Sequence, residues 1–134
     1  MYLLDTMILS ELRKKERNPG VTAWLSDKPD RELFISVVSI GEIAKGIAQQ
    51  NKRDEVFAGT LRLWLEKLLM LYGDRILPVD IPIAKRWGEI SVQANNAGAD
   101  ILLAATAIEH NLSIVTRNEK HFIMTGVKIV NPWQ

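Results

Sequence analysis

With 134 residues, 47% hydrophobic and 25% charged, the chain has the length and composition of one globular domain that buries a core without staples. A formal net charge of +1 excludes a global electrostatic pull toward nucleic acid, so any RNA or DNA binding must come from a local patch. The absence of Cys excludes disulfides and thiolate metal sites, and no apolar run approaches the roughly 18 residues of a membrane span. With no basic-then-apolar signal peptide at the start, a soluble cytoplasmic protein is the expectation.

No repeat, low-complexity tract or Pro/Gly/Ser-rich linker interrupts the chain, so residues 1–134 are read as a single domain. Tyr2-Leu3-Leu4 predicts a short buried strand, and residues 6–16 a helix ended by the turn signal Asn18-Pro19-Gly20. Val21–Leu25 predicts a short helix and Leu33–Val37 a strand. Ile40, Ile43, Ala44, Ile47 and Ala48 then recur at the spacing of a helix with one buried face. A second long helix is expected over 54–72. Ile76–Val79 reads as a strand, Asp80-Ile81-Pro82 as the start of a helix running toward Asn95, and Ala99–His110 as a further helix. Strands over Leu112–Thr116 and Val127–Val130 complete the pattern. Strands separated by helices predict an α/β fold, a mainly parallel sheet with helices on both faces. Functional groups in such sheets gather outside the carboxyl ends of the strands.

Each acidic residue near a strand end also has a structural explanation. Asp5 and Thr6 can cap the first helix. Ser39-x-x-Glu42 has the form of a capping box, and Asp100 and Asp80 can both cap helices. Gly41 and Gly46 have P-loop spacing, but Ile47 stands where Lys is needed to reach the phosphates, which rejects a nucleotide-binding loop. Thr116, Arg117 and Asn118 stand at the carboxyl end of the last long strand, followed by Glu119 and His121. Taken together, Asp5, Glu42 and Asp100 begin helices that follow or flank strands, and those starts converge on one rim of the sheet. Converging carboxylates repel unless a cation neutralises them, and hard oxygen ligands select Mg²⁺ or Mn²⁺. Thr6 and Asn118 would orient ligands or water there.

The order and spacing of "LDTMILSELRK", "FISVVSIGEIAKGI", "GADILLAATAIEHNLSIVTRN" and "TGVKIVNPW" resemble the PIN-domain ribonucleases of the VapC type, the toxin half of a bacterial type II toxin–antitoxin pair. The resemblance spans essentially the whole chain. It implies a PIN-like three-layer α/β/α domain. The activity it implies is that of a Mg²⁺- or Mn²⁺-dependent endoribonuclease, hydrolysing single-stranded RNA with metal-activated water. It further implies a homodimer neutralised by a small cognate antitoxin. By motif match, Asp5, Glu42 and Asp100 become metal-site residues, with Thr6 and Asn118 as catalytic polar groups.

The chain departs from the family's pattern in two places. Met7 stands where Asn is usual, and His121 precedes Phe122 where an acidic residue is common. A neutral imidazole can ligate Mn²⁺ but suits Mg²⁺ poorly, so His121 is a candidate metal ligand. His121 also motivates the alternative of a catalytically impaired antitoxin-binding or regulatory module. A phosphoacceptor receiver domain fits less well. It needs paired acidic residues after the first strand, where Leu3-Leu4-Asp5 supplies one, and a Lys where Arg117 stands. The apolar run Phe57, Leu61, Trp64, Leu65, Leu68 and Leu69, widened by Leu63, Met70 and Leu71, suits either a fully buried helix or one wall of a groove for an antitoxin helix. Of the basic residues, Lys45 and Arg117 are expected closest to the site.

Overall fold

The computed structural model describes all 134 residues. Five short parallel strands form the middle layer: β1 (Tyr2–Leu4), β2 (Leu33–Ser36), β3 (Ile76–Leu77), β4 (Ser113–Val115) and β5 (Ile129–Val130), in the order β3-β2-β1-β4-β5. Six α-helices surround them: α1 (Thr6–Arg13), α2 (Pro19–Ser26), α3 (Val37–Asn51), α4 (Glu55–Tyr72), α5 (Ile81–Ala94) and α6 (Ala99–Glu109). The result is the expected three-layer α/β/α arrangement, with a sheet that is wholly rather than mainly parallel.

Strand alternation divides the core in two. Leu3 and Ile114 point to one face of the sheet, where they pack with Leu103, Ala104, Ala107 and Phe122. Leu4 and Val115 point to the other, against Ile8, Leu9, Ile35, Ile43 and Leu68. Because both faces are covered, the strands are mostly apolar, with Ser36 and Ser113 at strand ends rather than a polar residue at every second position. Each fully buried Leu or Ile contributes about 1.5–3 kcal/mol relative to exposure.

The helices follow their sequence signals, with informative exceptions. Asp80 caps α5 by accepting from the Ile83 N–H at 3.1 Å, whereas Asn18-Pro19-Gly20, expected as a turn, opens α2: Asn18 caps it through its side-chain oxygen and Pro19, with its fixed φ, takes the first position. The first helix stops at Arg13 rather than residue 16, because Glu11 accepts hydrogen bonds from Lys14 and from the Asn18 N–H, which turns the chain early. The expected inner face of α6 is too narrow: Leu103 and Ala107 are buried on the sheet while Ile101 and Ala105 pack against Ile83 and Ile90 of α5. A helix covered on both sides must be small and apolar around most of its circumference, which accounts for its alanines.

The capping box expected at Ser39 and Glu42 does not form. The helix starts three residues earlier, at Val37, and its cap is Ser36, whose hydroxyl accepts from the Val38 N–H at 3.0 Å. Ser39 and Glu42 therefore lie inside α3 with side chains free for other partners. Asp100 is likewise no cap. Gly98 occupies that position, and Asp100 sits in the first turn of α6, where the helix dipole favours a carboxylate. Ala44 and Ala48, expected on the buried face of α3, are exposed.

Candidate active site

In strand order the crossovers run outward from β1 in both directions, so the carboxyl ends of β1 and β4 flank the topological switch point, where open α/β sheets place their sites. Asp5 stands there, directly after β1. Its N–H donates to the Val115 carbonyl at 3.0 Å, which extends the β1–β4 ladder by one step and fixes the carboxylate at the sheet rim. Only 5% of Asp5 is exposed. Its Oδ1 accepts from the Thr6 N–H at 2.7 Å, and its Oδ2 accepts from the Thr116 hydroxyl at 2.7 Å. Asp5 is thus a helix cap and a buried anion together.

Burial pushes the Asp5 carboxyl above its ordinary value. The hydrogen bonds from Thr116 and Thr6 act against that shift, and the negative charges of Asp100 and Glu42 add to it. Asp5 therefore senses the other two carboxylates singled out in the sequence. Glu42, exposed on α3, is tethered by the Thr6 hydroxyl, which donates to its Oε1 at 2.7 Å. Asp100, half-buried, is paired with His121, whose Nδ1 lies 3.1 Å from Asp100 Oδ2. No group of three or more Asp, Glu or His side chains stands close enough to hold one ion between them. The donor chemistry nonetheless suits Mg²⁺, which keeps several waters and is usually held through one or two carboxylates rather than by an all-protein cage.

Asn118 reaches the same end of the sheet. Its N–H donates to the Thr116 hydroxyl at 3.0 Å, and its side-chain amide lies 2.8 Å from the sulfur of Met7, the residue that departs from the family pattern. Thr116 is the residue at this rim to which the sequence pattern assigned no role. It is fully buried and joins Asp5 to Asn118, and its position one residue past β4 was the only signal of it.

Two concavities border these groups. One, between α1, α3 and α4, is lined by Thr6, Arg13, Glu42, Gln50, Phe57 and Trp64. The other is lined by Asn96, Asp100, Lys120, His121 and Met124 among others. The cation bordering Thr6 and Glu42 is thus Arg13, whose guanidinium lies 5.5 Å from the Phe57 ring centroid. Lys45 is exposed and lines neither concavity, and Arg117 is stacked on Trp133 at 5.9 Å. Helix α4 is not buried on all sides. Phe57, Leu61 and Trp64 face the groove, while Leu63, Met70 and Leu71 are exposed.

The family model for the PIN domain matches residues 2–126. This chain belongs to the PIN domain family. Among curated proteins, this PIN domain is 34% identical to VapC ribonuclease Y4jK of Sinorhizobium fredii, covering 100% of the chain and 99% of that protein. It is 33% identical to Toxin FitB of Neisseria gonorrhoeae, with 99% of each covered. The crystal structure of FitAcB from Neisseria gonorrhoeae superposes with a TM-score of 0.90 at 33% identity, covering 100% of this chain and 99% of that one. The fold and the family expected from the sequence motifs are both borne out. No helix of this PIN domain is long and apolar enough to cross a membrane.

Proposed function

We propose that this PIN domain is the toxin of a toxin–antitoxin pair and acts as a divalent-metal-dependent endoribonuclease on single-stranded RNA. The observation that carries the reading is Asp5: a buried carboxylate at the switch point, with Glu42 and Asp100 adding negative charge to the same rim. Such an arrangement is costly without a cation, and full-length similarity to proteins named VapC ribonuclease and Toxin FitB supplies the reaction class.

In this reading Asp5, Glu42 and Asp100 hold Mg²⁺ or Mn²⁺, directly or through water. When bound, the ion supplies an activated water and offsets the charge that develops on the phosphate. Thr6 orients Glu42, Thr116 orients Asp5, and Asn118 holds the Thr116 loop against α1. The chemistry needs no 2′-hydroxyl, so the preference for RNA would rest on the shape of the two bordering concavities. The Phe57–Leu61–Trp64 wall and Arg13 suit an amphipathic antitoxin segment, and the toxin would act as a homodimer.

One observation favours a second reading, an impaired antitoxin-binding module. His121 pairs with Asp100 and can hold that carboxylate away from an ion. Cleavage assays separate the two. Protein freed of any partner is incubated with a mixed single-stranded RNA pool in Mg²⁺, Mn²⁺ or EDTA, beside Asp5→Ala. Metal-dependent cleavage that is lost in Asp5→Ala supports the nuclease. A folded protein inert with both metals supports the module.

A further inference from the structure

The hydroxyl of Ser39 is spent outside its own helix. Ser and Thr inside helices commonly donate back to the carbonyl four residues earlier, and five side chains here do so: Thr22 to Asn18, Ser26 to Thr22, Thr60 to Val56, Ser91 to Trp87 and Thr106 to Leu102. Ser39, in the first turn of α3 and fully buried, has no helical carbonyl four residues back, because Ile35 lies in β2. Its side chain has one partner, the Thr6 hydroxyl, at 2.9 Å.

Proton counting fixes the direction. Thr6 Oγ lies 2.7 Å from Glu42 Oε1 and 2.9 Å from Ser39 Oγ, but a hydroxyl carries one proton. An ionised carboxylate only accepts, so the Thr6 proton goes to Glu42. The proton between Ser39 and Thr6 must then belong to Ser39. The chain runs from Ser39 O–H to Thr6 O–H to Glu42 carboxylate, each hydroxyl polarising the next.

We propose that Ser39 is a positioning residue for the metal site, acting on Glu42 through the Thr6 hydroxyl. The proposal rests on Glu42 being a metal-site carboxylate. Glu42 is exposed, and an exposed glutamate is otherwise free to sample its rotamers. Thr6 restrains it, and Ser39 restrains Thr6: by occupying its acceptor side, Ser39 leaves the Thr6 proton only the direction of Glu42. The anchor is internal because Ser39 is inaccessible, so solvent cannot replace it when it is removed.

The test is Mn²⁺ binding, followed by calorimetry and by the Mn²⁺ spin-resonance signal, on the partner-free protein and on Ser39→Ala, Thr6→Val, the double variant and Glu42→Gln. Melting temperatures are recorded in EDTA. Expected is a weakening of Mn²⁺ affinity by about tenfold in Ser39→Ala, the scale of lost outer-shell support. Thr6→Val should weaken binding at least as much, and the double variant no more than Thr6→Val alone, since Ser39 acts only through that hydroxyl. Ser39→Thr, which restores a hydroxyl, should recover most of the affinity. Wild-type affinity in Ser39→Ala, with Glu42→Gln impaired, overturns the proposal and leaves the metal site standing. Losses that add in the double variant overturn the relay in favour of a general packing role. Failure of the wild-type protein to bind Mn²⁺, or undiminished binding by Glu42→Gln, overturns the role of Glu42 and the proposal with it.

Discussion

The Thr116 hydroxyl donates to Asp5 Oδ2 at 2.7 Å, joining residues 111 positions apart across the β1–β4 seam. The Thr116 hydroxyl oxygen in turn accepts from the Asn118 N–H at 3.0 Å. Thr116→Val keeps the shape but leaves a backbone donor and a buried carboxylate each short of a partner. Expected is a loss of about 1–3 kcal/mol in stability and a fall in cleavage of roughly tenfold or more, measured by denaturant unfolding and an RNA cleavage assay. Unchanged activity would make Thr116 a purely structural latch.

Asp5 carries a cost that metal binding would relieve. Its folded-state pKa is raised, chiefly by burial, so the stability it contributes is present below its ordinary 3.8 and is lost as pH rises through the folded value. At neutral pH the ionised group therefore works against folding. Asp5→Asn, nearly isosteric, should melt higher than wild type at pH 7 in EDTA while abolishing cleavage. A thermal scan across pH checks it: the gain should shrink as the medium is acidified. A lower melting temperature at pH 7 would mean that the two hydrogen bonds outweigh burial.

His121 offers a contrast in the opposite direction. Replacing it by Asp places a second carboxylate beside Asp100, where the imidazole now sits at 3.1 Å. Without metal, His121→Asp should be less stable by about 1 kcal/mol, roughly 3 °C. Millimolar Mg²⁺ should then stabilise the variant more than it stabilises wild type. Equal Mg²⁺ shifts in the two proteins would show that position 121 does not face the ion.

Glu11 provides a pH dependence outside the site. It is buried and accepts from the Asn18 N–H at 2.8 Å and from Lys14 at 3.0 Å, and these bonds, the backbone one foremost, hold its carboxyl below the ordinary 4.5. A lowered folded pKa contributes stability above that value and loses it as pH falls through the folded one. Glu11→Gln should therefore melt below wild type at pH 7, with the gap closing on acidification below 4.5. Melting curves over that range decide it, and a constant gap would assign the effect to packing.

Much of this fold is legible in the chain because its signals are local. Asn18-Pro19-Gly20, Asp80-Ile81-Pro82 and the periodic apolar residues of α3 and α4 each announce an element boundary or a face. What escaped is tertiary. Ser39-x-x-Glu42 has the spacing of a capping box, yet Ser36, three residues earlier, takes the cap because β2 delivers the chain into α3 there. Whether a hydroxyl caps its own helix or reaches across to Thr6 depends on a neighbour 33 residues distant, which spacing along one helix cannot reveal. Thr116 escaped for the same reason: its partner lies at the other end of the sequence. Asp5, Glu42 and Asp100 were legible as candidates because strand ends and helix starts can be read locally, and the parallel topology brings them to one rim.

The strand order has a consequence in time. β1 is the first strand to be synthesised and the innermost in the sheet, yet one of its two neighbours, β4, is made only at residues Ser113–Val115. A nascent chain carries Asp5 from the outset but lacks the wall that buries it and the hydroxyl that holds it until most of the polypeptide exists. On the proposed nuclease reading, the site therefore assembles only after β4 has been made.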